Sequence, residues 1–372
     1  MIYLDYAATT PISDEALDVY VKVSKKFFGN TMSLHDIGTE ANDLLEHCRR
    51  QLATTINGET EGLVFTSGGS ESNLLAIYGH AMACKEKGNH ILVAEGAHGS
   101  VKSALGQLEQ QGFLVERVSP DGNGHVGIEQ LAPLLKEETC LVITSHVNGE
   151  FGFIEPIKEL GAFLDDKGVR FHVDAVQGFG KLPIDVKKSR LSSISFSSHK
   201  IYGPKGVGGL YIDPSLSFVP LLPFGTHENG RRQGTVNLPG IAAFTEAAIR
   251  AMADREKNYQ TVLDIKRYMI NEMRERDLPI VIESPLEETS PYILAMRVPG
   301  TEGQFVMLEA NRKGVAISTG SACSVHQQKP SSILMSMGRS VDEAREVVRF
   351  SFGNRSTKEH INQAIEVLAS LS

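Results

Sequence analysis

The amino-acid sequence predicts an α/β protein with a large domain built on a mostly parallel sheet and a smaller α+β domain. Short apolar segments alternate with amphipathic stretches up to about residue 212, which is typical of successive βα units. The stretch 240–276 is nearly free of Gly and Pro and is rich in Ala, Arg, Glu and Lys, so it predicts one or two long helices. We expect these helices to bridge a larger domain, residues 15–250, and a smaller one, residues 1–14 with 251–372.

The predicted strands of the large domain are short, rich in β-branched or aromatic residues, and end at small or polar residues. Six segments have this character: 62–66, 90–94, 140–145, 169–174, 192–197 and 208–212. Helices are predicted between them, for example over 72–83 and 157–166. Beyond the bridging helices, residues 279–283 and 292–298 predict two strands of the smaller domain.

The chain is predicted to end in a helix. Ser356 and Glu359 have the spacing of a capping box, in which two side chains bond the free N–H groups of the first turn. Apolar residues then recur at helical spacing, at Ile361, Ile365, Leu368 and Leu371.

Composition excludes several classes of protein. The 372 residues carry 37 Lys and Arg against 45 Asp and Glu, which is a formal net charge of −8. This acidic balance lacks the basic field of nonspecific nucleic-acid binders, so no nucleic-acid partner is expected. The apolar content of 41% argues against disorder. No run of about 18 apolar residues occurs, so no membrane association is expected.

The cysteines and the N-terminus favour a cytoplasmic location. Four cysteines in so long a chain form no disulfide framework, and none has the C-x-x-C spacing of a zinc or redox site. They are Cys48, Cys84, Cys140 and Cys323. The first six residues include Asp5 and no basic residue, so no signal peptide is expected.

Lys200 follows a predicted strand and precedes a Gly/Pro loop, in segment 195–206. A lysine at such a place either extends its amine from the strand end to solvent or serves as a Schiff-base lysine. The second role requires a confined, partly desolvated amine.

Asp174 lies at the end of another apolar strand, in segment 171–178. An unpaired carboxylate there would be costly, so we expect a cationic or hydrogen-bonding partner. The protonated pyridine nitrogen of pyridoxal 5'-phosphate (PLP) is one such partner. The alternative is an aspartate that caps the next helix.

Segment 64–73 combines a strand, two glycines, hydroxyl groups and the start of an apolar helix. Backbone N–H groups and the helix dipole at such a turn can bind a phosphate. The segment is neither a Walker A loop nor a dinucleotide fingerprint, because the required spacings are absent.

His98 comes just after a further strand, in segment 94–100. An imidazole there can stack on a flat cofactor ring and exchange protons near neutral pH. A surface or helix-capping histidine is the alternative.

Cys323 lies in a loop of small and polar residues, segment 318–330, that follows a predicted strand. The other three cysteines lie in segments that read as helix or strand, where cysteine is usually a small buried apolar residue. Cys323 is therefore the candidate nucleophile. Together the five segments predict one site at successive strand ends, where open α/β sheets bind ligands.

The sequence resembles the cysteine desulfurases of the NifS/IscS type, which are PLP enzymes of an aminotransferase class V-like fold. The resemblance covers nearly the whole chain, and its most specific motifs are residues 3–11, 198–206, 318–323 and 349–351. It implies PLP-dependent transferase fold type I with a seven-stranded sheet in the large domain. The motif 318–323 is similar to that of the group with a long, mobile catalytic loop.

The resemblance also implies roles for matching residues. Lys200 would bind PLP as a Schiff base, His98 would stack on its ring and shuttle protons, and Asp174 would bind its pyridine nitrogen. Gln177 would reach the phenolic oxygen of the ring. The phosphate would be held by Gly69, Ser70, Ser197 and His199, and by Thr235 of the other subunit of a homodimer.

Two further residues would handle the substrate. Arg349 would bind the carboxylate of L-cysteine in the bidentate manner that guanidinium allows. Cys323 would attack the substrate sulfur, so that L-alanine and a cysteine persulfide form. The sulfur would then pass to an acceptor protein in Fe–S cluster assembly, Fe–S enzyme maturation or tRNA thiolation. The alternatives are a selenocysteine lyase, an aminotransferase-like PLP enzyme, and a non-catalytic partner in sulfur relay. No metal is expected.

Three departures from the family pattern bear on these roles. The family's Val-Asn-Asn-Glu is Val147-Asn148-Gly149-Glu150 here, so the contact of the second Asn with the cofactor is lost unless Asn148 replaces it. The family's Gly-Asn-Pro ends in Thr31. The C-terminal tail that helps general-purpose members dock a scaffold protein is not in this sequence, which favours a specialised acceptor.

Overall fold

A computed structural model describes residues 1–320 and 330–370, in which the two larger sheets have separate apolar cores. The strands are β1 (Ile2–Tyr3), β2 (Leu63–Thr66), β3 (His90–Ala94), β4 (Leu114–Val118), β5 (Thr139–Ser145), β6 (Arg170–Asp174), β7 (Ser193–Ser197), β8 (Gly208–Ile212), β9 (Val281–Ile282), β10 (Ile293–Arg297), β11 (Val315–Ala316), β12 (Ser318–Thr319) and β13 (Val347–Ser351). The α-helices are α1 (Asp14–Lys26), α2 (Asp36–Thr55), α3 (Gly69–Cys84), α4 (Gly99–Glu109), α5 (Ile128–Leu131), α6 (Ile157–Asp165), α7 (Leu238–Ala253), α8 (Arg255–Glu275), α9 (Gly303–Arg312), α10 (Ser332–Ser336), α11 (Val341–Arg345) and α12 (Lys358–Ala369).

The seven-stranded sheet has the order β2-β8-β7-β6-β5-β3-β4. Only β8 runs against the others, because it is antiparallel to both β2 and β7 while the remaining pairs are parallel. This confirms the expected mostly parallel sheet. Because six strands share one direction, their carboxyl ends meet at one edge, where ligands bind in open α/β sheets.

Both faces of this sheet are covered, as its continuous apolar strands require. In β3, Ile91 and Val93 join the core under α3 and α4, whereas Leu92 and Ala94 join the core under α1, α2, α6 and α7. The alternation follows from the two-residue period of a strand, which points successive side chains to opposite faces. The helices therefore leave the carboxyl edge open and cover the faces.

The second sheet has the order β12-β13-β10-β9, and its neighbouring strands are antiparallel. Side chains from α8, α9 and α12 pack with it in a separate core. The N-terminal strand β1 pairs in parallel with β11. The division of the chain at residues 14 and 250 stays a prediction.

The predicted elements agree with the structure except at two places. Strand β4 was not expected, because its sequence Leu-Val-Glu-Arg-Val has two charges and four of its five residues are not buried. The predicted capping box at Ser356 is wrong. Thr357 caps α12 by accepting a hydrogen bond from the backbone of His360, while the Ser356 hydroxyl accepts one from Gly353. The stretch 240–276 forms two helices, α7 and α8.

No helix in the described part of the chain is long and apolar enough to cross a membrane.

A buried ion pair fastens the loop before α7 to the seven-stranded sheet. Arg49 of α2 donates two hydrogen bonds to the carboxylate of Glu228, at 2.7 and 2.9 Å, and Glu228 also accepts one from the backbone of Phe65 in β2. The side chains of Arg49 and Glu228 are 5% and 1% exposed. Glu228 adopts a φ of 49°, a left-handed conformation that its buried contacts must hold.

We therefore expect Glu228→Ala to lower the free energy of unfolding by about 3 to 5 kcal/mol, because it removes the buried carboxylate that binds both terminal nitrogens of Arg49 and leaves, among the described carboxylates, only the Nε contact with the more exposed Glu46. Urea unfolding followed by circular dichroism measures this change. The control is Glu59→Ala, which breaks the exposed Lys187–Glu59 pair and should cost at most about 1 kcal/mol. Equal losses in the two variants would contradict this account of the buried pair.

Candidate active site

A cavity of about 780 Å³ opens at the carboxyl edge of the seven-stranded sheet. Its volume is in the range of small-molecule sites. Nine residues predicted from the sequence line it: Gly69, Ser70, His98, Asp174, Gln177, Ser197, His199, Lys200 and Arg349. Thr235 is exposed and does not line the cavity. Cys323 lies outside the described residues.

Lys200 lies in the turn that follows β7 and is partly buried. Its Nζ donates hydrogen bonds to the carbonyl oxygens of Ala7 and Ala8, at 2.5 and 2.7 Å. The N-terminal segment thus forms the wall opposite the strand ends. The amine is held at the cavity and does not extend to bulk solvent, which favours the confined lysine over the solvent-extended one.

Asp174 is the last residue of β6 and is buried. One carboxylate oxygen accepts from the backbone N–H of Val176 at 3.0 Å, and the other accepts from the side-chain amide of Asn73 at 2.8 Å. The expected hydrogen-bonding partners are therefore present, and the Val176 contact is also a local cap. The carboxylate still lines the cavity, where it can accept from a bound group.

The glycine turn after β2 forms a cradle at the start of α3. Gly68 has a φ of 152°, which favours glycine, and Gly69 begins the helix. A Cβ added at Gly69 would lie 2.5 Å from the Val176 side chain and 3.7 Å from that of Ser197, so a larger residue would fill this end of the cavity. Free N–H groups and the helix dipole make the cradle suitable for a phosphate.

His199 stands beside the cradle and is predominantly neutral at pH 7. Burial, followed by the positive charge of Lys200, lowers the pKa of its imidazole to about 4. Its Nδ1 lies 3.1 Å from the Thr9 hydroxyl. The imidazole can therefore donate a hydrogen bond to an anion as a neutral ring.

His98 caps a helix and also lines the cavity. It caps α4, because its Nδ1 accepts a hydrogen bond from the backbone N–H of Ser100 at 3.2 Å. It also lines the cavity, with an exposed side chain that a ring-shaped ligand can contact. The capping bond fixes the position of the ring at the start of the helix.

Lys181 was not identified from the sequence and contacts a predicted residue. Its Nζ donates to the Gln177 side-chain oxygen at 3.1 Å, and the Gln177 amide donates to the Ala7 carbonyl at 2.8 Å. Burial, followed by the charges of Lys200 and Arg349, lowers the pKa of Lys181 to about 7. The only sequence signal was a lysine in the apolar segment 178–182.

Arg349 of β13 is buried at the cavity and is paired with Asp5, which sequence reasoning also missed. One terminal nitrogen donates to Asp5 at 3.0 Å, and the other donates to the carbonyls of Gly149 and Gly320 at 2.8 and 3.1 Å. Among the described residues, its Nε has no hydrogen-bond partner. The guanidinium is thus oriented by the protein, and its Nε is buried as well as without a described partner.

Asn148 does not take the place of a side chain at position 149. Its side-chain oxygen accepts hydrogen bonds from the backbone of Glu150 and Phe151, both at 2.9 Å, so it stabilises the turn. Gly149 lines the cavity, whereas Asn148 does not. Among the described residues, a Cβ added at Gly149 would meet only Gln177, at 3.8 Å, so the cavity is wider here than a side chain would leave it.

The three described cysteines are unsuited to nucleophilic attack. Cys48, Cys84 and Cys140 are buried, and burial raises the pKa of each thiol, for Cys140 to about 12. A thiol with a raised pKa carries little reactive thiolate at neutral pH. This leaves Cys323 as the candidate nucleophile of the sequence.

The cavity fits PLP in three respects. The glycine cradle with the N-terminus of α3 suits the phosphate, Asp174 offers a carboxylate to the pyridine nitrogen, and Lys200 offers a confined amine to the aldehyde. Within residues 1–320 and 330–370, no group of three or more His, Cys, Asp or Glu side chains could hold a metal ion.

Comparison with known proteins gives a consistent result. Residues 2–364 match the model of the aminotransferase class-V family. NifS of Bacillus subtilis (strain 168) is 43% identical over 373 residues, which cover 100% of this chain and 94% of that protein. The cysteine desulfurase IscS of Dictyoglomus turgidum is 35% identical, with coverage of 99% and 93%. A solved structure described as a NifS-like protein has a TM-score of 0.92 at 29% identity, with coverage of 100% and 99%.

The lowered pKa of Lys181 predicts a pH-dependent stability. Between pH 7 and the ordinary lysine value of 10.5, the unfolded chain binds more protons at this residue than the folded chain does. Its contribution to the free energy of unfolding therefore rises with pH across that window. In urea unfolding, we expect the free energy of unfolding of wild type minus that of Lys181→Met to increase from pH 6.5 to pH 9.

The matched control for this prediction is Lys167→Met, which removes an exposed lysine. Its difference from wild type should stay constant over the same range. A constant difference for Lys181→Met as well would show that burial does not lower the pKa of the Lys181 amine in the folded protein.

Proposed function

This chain belongs to the aminotransferase class-V family and, within it, to the cysteine desulfurases of the NifS/IscS type, and we propose on that basis which of its residues perform the reaction. The protein is a PLP-dependent enzyme that converts L-cysteine to L-alanine and transfers the sulfur. The observation that carries the assignment of residues is the convergence of Lys200, Asp174, His98 and the cradle at Gly69 on one cavity.

PLP, when bound, supplies an electron sink for the charge that develops as the substrate α-proton leaves. Lys200 would hold the cofactor and, once released by substrate, would remove that proton. Asp174 would accept a hydrogen bond from the pyridine nitrogen, and Gln177 would reach the phenolic oxygen. The phosphate would be held by Gly69, Ser70, Ser197 and His199.

Arg349 would bind the carboxylate of L-cysteine. The side chain lines the cavity, where Asp5 and the carbonyls of Gly149 and Gly320 hold the guanidinium in place. A fixed guanidinium binds a carboxylate at a smaller entropic cost than a mobile lysine would. The positive charges of Lys200 and Arg349 also favour an anionic substrate at this edge of the sheet.

Cys323 would attack the substrate sulfur as the thiolate. An S–S bond forms on Cys323 as the C–S bond of the substrate breaks, and the substrate carbon gains a proton. The Cys323 sulfur is oxidised and the carbon is reduced, so the products are a persulfide and alanine. His98, at the cavity wall, would be the residue that exchanges protons during these steps.

The persulfide sulfur would pass to an acceptor protein that serves Fe–S cluster assembly, Fe–S enzyme maturation or tRNA thiolation. The protein would act in the cytoplasm, where thiols stay reduced. The three buried thiols are free, which supports this location.

A homodimer is part of the proposal. Two loops expose large apolar side chains that a monomer would leave in water. They are Phe28, Met32 and Leu34 before α2, and Leu222 and Phe224 before α7, with Leu34 and Phe224 almost fully exposed. Thr235 is exposed in the second of these regions. In a dimer it would reach the phosphate of the neighbouring subunit, as the resemblance implies.

Lys200→Ala and Cys323→Ala should separate cofactor binding from sulfur transfer. Lys200→Ala should lose the absorbance band of bound PLP and all alanine formation, because the amine that binds the aldehyde is gone. Cys323→Ala should keep the band and lose persulfide. Absorbance spectra, alanine release from L-cysteine and persulfide labelling measure the three properties.

Two outcomes would contradict this assignment. Wild-type sulfur transfer by Cys323→Ala would exclude that thiol as the nucleophile. Formation of pyruvate and pyridoxamine phosphate from alanine would instead support an aminotransferase. Ser24→Ala on the exposed face of α1 is a control that should leave all three properties unchanged.

The dimer is tested by Phe224→Asp, since a buried carboxylate would oppose association. We expect wild type to have the mass of a dimer, and the variant that of a monomer, in light scattering after size exclusion. Leu308→Asp is the control, because it places the same charge on an exposed apolar site of α9. A monomeric wild type would contradict the proposal.

A further inference from the structure

Asn73 lies in the second turn of α3, where it is 1% exposed and connects four side chains. Its amide nitrogen donates to the Asp174 carboxylate at 2.8 Å and to the Ser100 hydroxyl at 3.0 Å. Its amide oxygen accepts from the Ser195 hydroxyl and lies 3.1 Å from Nε2 of His172. All the hydrogen-bonding capacity of the amide is thus used.

The orientation of this amide follows from its neighbours. The Asp174 carboxylate only accepts, so the amide nitrogen must face it. On the other side, burial lowers the pKa of His172 to about 4, and its ring is neutral. Nδ1 of His172 lies 2.8 Å from the Ser193 hydroxyl, which can donate to it, and Nε2–H can then donate to Asn73.

The same chain of bonds reaches His98. The backbone N–H of Ser100 donates to Nδ1 of His98 at 3.2 Å, and a backbone N–H cannot accept. The Ser100 hydroxyl lies 2.8 Å from the same Nδ1. Because the Ser100 hydroxyl oxygen accepts from Asn73, the hydrogen of this hydroxyl is available to donate to Nδ1. Two donors at Nδ1 leave the proton of the neutral ring on Nε2.

We propose that Asn73 is a positioning residue that aligns the Asp174 carboxylate and, through Ser100, keeps the proton of neutral His98 on Nε2. The proposal rests on the proposed function, because Asp174 and His98 act in that site. One buried amide would then set the geometry of the pyridine-nitrogen acceptor and the tautomer of the proton-exchanging imidazole. Neutral His98 would be a hydrogen-bond donor at Nε2.

Two substitutions distinguish the contact of Asn73 with Asp174 from the contact of Ser100 with His98. Asn73→Ala removes the donors to both Asp174 and Ser100, whereas Ser100→Ala removes only the hydroxyl beside His98. Ser24→Ala is the control for Ser100→Ala, because it also replaces a serine by alanine, at an exposed site of α1. Each variant is studied as the full chain loaded with PLP.

Two measurements follow these two contacts independently. The dissociation constant of PLP, from absorbance titration, should rise roughly tenfold or more in Asn73→Ala, because a hydrogen bond to a charged group is lost. It should change less than about twofold in Ser100→Ala. Nitrogen-15 spectra of histidine-labelled protein, with His98 identified by the signal absent in His98→Gln, should show Nε2–H in wild type. The Nδ1–H form should be more populated in both variants than in wild type, because only the backbone N–H of Ser100 then still favours an unprotonated Nδ1.

A wild-type His98 protonated on Nδ1 would overturn the proposal, as would an unchanged PLP dissociation constant in Asn73→Ala. If Asn73→Ala does not fold, Ser100→Ala and the wild-type spectrum still decide the tautomer. Failure of wild type to bind PLP would overturn the proposed function instead. The tautomer, measured in the unloaded protein, would then still test the role of Asn73.

Discussion

The active site depends on one short segment, residues 4–10, that is hydrogen-bonded to both larger sheets. The Leu4 carbonyl accepts from the backbone of Ser351 in β13, at 2.8 Å, and the Ser351 hydroxyl accepts from the backbone of Ala7. Ala7 and Ala8 accept from Lys200, and the backbone of Thr10 donates to the carbonyl of His199. The distance between the lysine after β7 and the arginine of β13 is therefore set by this segment.

Charged side chains of both signs line the cavity. Lys200 and Arg349 lie there with Glu150 and Asp174, and Arg349 is also paired with Asp5. Burial raises the pKa of Asp5 although the Arg349 charge opposes the shift. The positive charges of Lys200 and Arg349 would complement a phosphate or a carboxylate bound in the cavity.

Neutral hydrogen-bonding groups surround these charges. His172 and His199 are neutral because burial lowers the pKa of each to about 4, so they act as donors and acceptors without adding charge. The Asn73 amide donates one hydrogen bond to the Asp174 carboxylate and one to the Ser100 hydroxyl, and it adds no charge. The arrangement keeps the Asp174 acceptor in place and leaves its cavity side to a ligand.

Local sequence patterns were sufficient to predict most strands of the large sheet and where their carboxyl ends lie. The apolar residues of β3 and β8 and the small or polar residues at the strand ends are short-range signals, so the residues after each strand could be grouped into one site. Edge strand β4 was not predicted because two of its residues are charged and four of its five residues are not buried. The Ser356 prediction failed because two hydroxyl residues adjoin the helix, and the chain path decides which one caps it.

The sequence by itself determined the fold class, the lysine, the acidic residue at the strand end and the glycine turn, because each has a local signature. Only the tertiary structure decided the partners of these residues. Asp5 meets Arg349 across 344 positions of sequence, Asn73 meets Asp174 across 101, and Lys181 becomes buried beside Lys200. Long-range packing brings these groups into contact and removes water from around them, and no periodicity of the chain records either event.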